Sequence, residues 1–116
     1  MRFFDRILSV LLMLGGVGHT FGSLRAYKNN QMMLTWAVCA SVLVFLMAAV
    51  NLVRAARPGD KPLGWICLVS GLCWIVACVR FGQLTGNIFD PRPLIFVLIT
   101  LGLCAFSMRT ILEAKP

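Results

Sequence analysis

His19 is the single histidine of the chain and, apart from five cysteines, the one ionisable side chain well inside an apolar stretch. An imidazole in that setting can relay a proton, hold a hydrogen bond or ligate a metal. A metal or haem is not expected, because a second strong ligand would have to come from another subunit, and no other cofactor is expected. Arg25, Arg80, Asp90 and Arg92 stand at the borders of the apolar stretches, on the side to which His19 lies nearest. Guanidinium groups beside a helix N-terminus suit an anionic headgroup, a carboxylate or a phosphate. The competing reading pairs Asp90 with one arginine and lets the others extend their charges toward headgroups.

Other residues are chemically quieter. Gly18 and Gly22 are four apart, with Gly15 before them and Ala26 after, so one side of a helix is nearly bare backbone. Such a side admits close packing inside a bundle or across a seam with another chain, or stays open for a ligand. Asn51 suits an interhelical hydrogen bond, and Cys67, Gly71, Trp74 and Cys78 form a core stripe with Gly71 as a point of close approach. No cysteine pair has Cys-x-x-Cys spacing, which argues against a disulfide framework, a thiol oxidoreductase and a zinc ribbon.

The elements that position these residues follow from where charge is missing. The chain is 59% hydrophobic and 13% charged. Uncharged intervals of 18, 25, 18 and 16 residues separate Arg6 from Arg25, Lys28 from Arg54, Lys61 from Arg80, and Arg92 from Arg109. A bilayer core needs roughly 20 apolar residues, with about 17 as the lower limit. The fourth interval reaches that length when Arg109 extends its charge outward along its aliphatic stem. The prediction is a single all-α domain over residues 1–116, an integral membrane four-helix bundle with spans at 4–26, 32–55, 62–81 and 91–112.

Turn residues mark the breaks. Lys28-Asn29-Asn30-Gln31 and Pro58-Gly59-Asp60 separate the first three spans, Pro62 opens the third, and Gly82 is expected as its left-handed C-cap. Asp90 as N-cap and Pro91 at the first position open the fourth. Connections this short force an up-down-up-down order. That order gathers His19, Arg25, Arg80, Asp90 and Arg92 at one end.

Seven Lys and Arg residues fall on the side of the termini and four on the other, which by the positive-inside rule puts both termini in the cytoplasm. Trp36, Trp65 and Tyr27 fall near span ends, as interfacial aromatics do. A cleaved signal peptide is disfavoured by Asp5 and by the lack of an Ala-x-Ala-like site. The net charge of +7 is spread in ones, twos and threes rather than gathered in a patch, so lipid headgroups rather than nucleic acid are the expected partners. Small size and short loops point to a bacterial inner membrane.

The length and four-span layout resemble those of small multidrug resistance exporters, which exchange protons for cationic drugs through a carboxylate in the first span. Asp5, Asp60, Asp90 and Glu113 all lie outside the apolar intervals, so the resemblance implies no such exchange here. The layout is also similar to small bacterial four-helix families, DoxX-like proteins among them, without a motif specific to any.

The leading expectation is therefore a non-enzymatic membrane protein that binds or passes a small anionic or lipidic ligand near its outer face. The second is an accessory subunit, or homo-oligomer, packing through the glycine side of the first helix. The third is a lipid-modifying enzyme using His19, for which no nucleophile–base pair or metal-ligand set is visible in sequence.

Overall fold

The apolar intervals become four helices: α1 Arg2–Ala26, α2 Gln31–Ala56, α3 Lys61–Leu84 and α4 Pro91–Leu112. The computed structural model describes residues 2–113, and these contain no strand. Each helix is long and apolar enough to cross a membrane. The bundle measures about 53 Å by 22 Å by 21 Å.

Capping residues set the helix starts. Asn30 accepts from the Met33 N–H at 3.1 Å, Asp60 from the Leu63 N–H at 3.1 Å, and Asp90 from the Arg92 N–H at 3.0 Å. Each satisfies a first-turn donor that has no partner within the helix. The end of α3 differs from expectation. Gly82 is helical and buried, the chain runs on to Leu84, and the left-handed glycine is Gly86, at φ 77°. The reason is steric: a Cβ on Gly82 would sit 3.2 Å from the Ile88 Cα, so this glycine lets the following loop fold back onto the helix. The start of α1 also runs further than expected, and Asp5 becomes part of its first turn.

Neighbouring helices run antiparallel. Along α1 and α2, Asp5 meets Arg54, Gly16 faces Val44, and His19 meets Ser41. Along α3 and α4, Gly64 faces Ile111, Gly71 faces Cys104, and Trp74 meets Phe96. These two hairpins are the most extensive pairings; they join most closely through α1 and α4, while the backbones of α1 and α3 do not approach one another closely among the described residues. Leu12, Val44, Met47, Ala48, Trp74, Cys78 and Leu103 form the apolar core between them. Gly71 permits this close approach, since a Cβ there would lie 2.7 Å from the Cys104 Sγ and force it to shift.

Candidate functional site

At the end holding the 1–2 and 3–4 connections, most of the expected charged residues bond within their own element rather than across the bundle. Arg25 and Arg80 are exposed and belong to α1 and α3, the two helices whose backbones lie farthest from close approach. Arg80 donates to Gln83 Oε1 at 3.2 Å within its own helix. Asp90 is taken by its near neighbour Arg92, with 2.7 Å between Oδ2 and Nη2. That bond, together with the Arg92 N–H, holds the Asp90 carboxyl below the usual carboxylate range. Of the five residues, only Asp90 and Arg92 share a contact that brings charge together.

His19 is half-buried and crosses to α2, where its Nδ1 lies 2.9 Å from Ser41 Oγ. The Ser41 hydroxyl also lies 3.2 Å from the Ala37 carbonyl and has one proton to give. When that proton goes to Ala37, the imidazole donates from Nδ1 and carries its lone pair on Nε2. A serine beside a histidine is the pair a nucleophilic enzyme uses, and sequence alone did not place them together. Ser41 is only 2% exposed, however, and no third group orients Nε2 among the described residues. The Ser41 hydroxyl is thus enclosed between α1 and α2. The contact works as an interhelical hydrogen bond, with the Phe96 ring meeting the imidazole edge-on at 6.3 Å.

The opposite end holds the arrangement that sequence reasoning missed. Arg54, read there as a charge bordering a span, is 1% exposed. Its Nη2 donates to Asp5 Oδ1 at 2.6 Å and to Asn51 Oδ1 at 3.1 Å, its Nε to Asn51 Oδ1 at 3.3 Å, and its Nη1 to Thr110 Oγ1 at 3.1 Å. Asn51 returns its own amide hydrogen to the Met47 carbonyl and Thr110 its hydroxyl to Phe106, so the partners are satisfied in turn. Cys67 of α3 stands beside the same guanidinium. All four helices therefore meet around one charge. Asn51 was the available signal: an amide inside an apolar helix faces the interior, and Arg54, three residues on, shares that side.

Arg54 and Asp5 also form the floor of a cleft of about 100 Å³, bordered by Arg2, Arg109, Glu113 and the Pro58–Gly59 turn. Arg109 is bonded through Nε to Glu113. Elsewhere in the interior, Trp74 Nε1 and Thr100 Oγ1 are buried with no hydrogen-bond partner.

The glycines divide. Gly15 lies under the Phe96 ring, which a Cβ would meet at 2.9 Å, and Gly71 lies against Cys104. A Cβ on Gly18 or Gly22 would meet nothing within 4 Å, so these two do not pack inside the bundle. Comparison of the chain with family models, curated proteins and solved structures finds no match.

Proposed function

We propose that the chain is an integral membrane protein that binds a small anionic or lipidic ligand. The observation carrying the membrane reading is an inverted polarity. Arg54, Asn51, Thr100, Ser9 and Ser107 are fully buried, while Leu14, Phe21, Trp36, Leu46, Ile66, Val76 and Leu98 are exposed. A surface of that kind drives aggregation in water, whereas lipid favours it and requires polar groups to find partners inside.

The ligand reading is supported by cations without carboxylate partners. Among the described residues the ion pairs are Asp5–Arg54, Asp90–Arg92 and Arg109–Glu113. Arg25, Lys28 and Arg80 at one end, and Arg2, Arg6, Arg57 and Lys61 at the other, have no carboxylate partner among the described residues. Anionic headgroups or small anions are their natural counterparts. The Lys and Arg balance favours cytoplasmic termini, and short loops fit a bacterial inner membrane.

Two measurements test this. The protein should stay with membranes through alkaline extraction, and a cysteine at Gly59 should be shielded from an impermeant thiol reagent in intact cells while one at Asn29 is labelled. Release into the soluble fraction would end the membrane reading, and reversed labelling would end the orientation. Native mass spectrometry of gently extracted protein should show retained anionic mass; a bare protein would count against the ligand.

The open Gly18–Gly22 side favours a second reading, an accessory subunit or a second copy docked there. A monomer without companions in mild detergent would exclude it.

A further inference from the structure

The geometry points to an anion-binding cleft at the end where α1 starts and α2 and α4 finish, with Arg2 and Arg109 at its rim and Arg54 as its floor. The inference rests on the reading of the chain as a membrane protein with an anionic ligand, and assigns that ligand a place and a size.

The sign follows from the donors. Three guanidinium groups border the cleft against two carboxylates, Asp5 and Glu113, and each carboxylate is already held by an arginine. The lining therefore carries a net positive charge, which favours an anion over a cation. Arg109 engages Glu113 through Nε alone, leaving both of its Nη groups without an acceptor among the described residues. Arg2 has no ion-pair partner there either. A guanidinium carries five N–H donors. Arg54 gives four of them to Asp5, Asn51 and Thr110 and has the Cys67 thiol beside it, so it contributes charge to the cleft while Arg2 and Arg109 supply the free donors.

The size follows from the volume. Pockets for drug-sized molecules run to roughly 300–1,000 Å³, and one water occupies about 30 Å³ of liquid. A cleft of about 100 Å³ therefore has room for one phosphate- or carboxylate-sized group. Because the cleft opens at the end of the bundle beside the Pro58–Gly59 turn, the group can belong to a phospholipid headgroup or arrive as a free anion.

The test uses full-length protein in neutral detergent, probed by native mass spectrometry with dioleoylphosphatidylglycerol against dioleoylphosphatidylcholine, and by thermal shift with inorganic phosphate. The variants are Arg2→Gln/Arg109→Gln at the cleft and Arg25→Gln/Arg80→Gln at the other end; all four side chains are exposed, so folding should survive. Losing two charge-assisted hydrogen bonds should weaken anion retention at least about tenfold in the cleft variant and leave the other unchanged. Preferential retention of the glycerol lipid identifies a headgroup site, and stabilisation by phosphate identifies a free-anion site; either supports the cleft when the cleft variant abolishes it. Loss in the Arg25/Arg80 variant alone overturns the cleft while preserving an anionic ligand. No anion effect in the unaltered protein overturns both.

Discussion

Arg54 Nη2 and Asp5 Oδ1 lie 2.6 Å apart, joining the last turn of α2 to the first turn of α1 across 49 residues of sequence. Both side chains are almost wholly buried. Removing one partner of such a pair leaves an uncompensated charge, at a cost of about 3–5 kcal/mol, whereas replacing both with apolar groups of similar volume is far milder. Asp5→Asn or Arg54→Met alone should therefore destabilise the bundle by that order, and Asp5→Leu/Arg54→Met together should recover most of the loss. Unfolding titrations with sodium dodecyl sulfate in mixed micelles would check it; additive losses in the double variant would mean the two charges act independently.

The glycines give an opposite pair of expectations. Gly71→Ala forces a methyl to within 2.7 Å of the Cys104 Sγ and should cost about 1–3 kcal/mol through overpacking. Gly18→Ala and Gly22→Ala meet nothing, and the gain in helix propensity should leave stability unchanged or raised by up to about 1 kcal/mol. The same titration compares all three, and a large loss at Gly18 or Gly22 in a monomeric preparation would contradict the open face.

Thr100 is fully buried, and its hydroxyl has no partner. An unsatisfied polar group of that kind costs roughly 1–3 kcal/mol, and an apolar residue of the same shape avoids it. Thr100→Val should consequently raise the melting temperature, whereas a fall would reveal a hydrogen bond that the hydroxyl does make.

Asp90 supplies a pH dependence with a definite sign. Its carboxyl is held below the usual range by Arg92, so the contribution of its cap is present above the unfolded value of about 3.9 and fades as pH falls from there through the lower folded value. Asp90→Asn keeps a capping oxygen and lacks the titration. Comparing melting temperatures of the two proteins between neutral pH and below pH 4 should show a gap that closes on the acid side; a gap that widens there would reverse the assignment.

Much of the fold was legible because span length is a demanding requirement. Four uncharged intervals bounded by turn residues leave few alternatives, and the caps at Asn30, Asp60 and Asp90 reinforce them. Gly82 was misread because a glycine at the end of an apolar run fits a C-cap as well as a close approach, and only the path of the following loop decides between them. The charged centre was hidden for a related reason. A charge at the border of an apolar interval normally reaches for solvent, so Arg54 looked like one more cation on the side of the termini and Asp5 like an acid outside the first span. Their burial depends on the antiparallel register of α1 on α2, which two separated stretches of sequence do not display. The Arg25 and Arg80 group was the converse: topology gathers the two at one end, but the backbones of their helices do not approach closely.

The division into two hairpins bears on how the chain is made. Asp5, Asn51 and Arg54 all belong to the first hairpin, so the interior guanidinium can acquire its counter-charge as soon as α2 is synthesised. The second hairpin has only to bring Thr110 and Cys67 to a centre already neutral. Synthesis in this order does not leave the Arg54 charge unpaired until α4 arrives. It also makes the Pro58–Gly59 turn the natural place to divide the protein into two co-expressed halves.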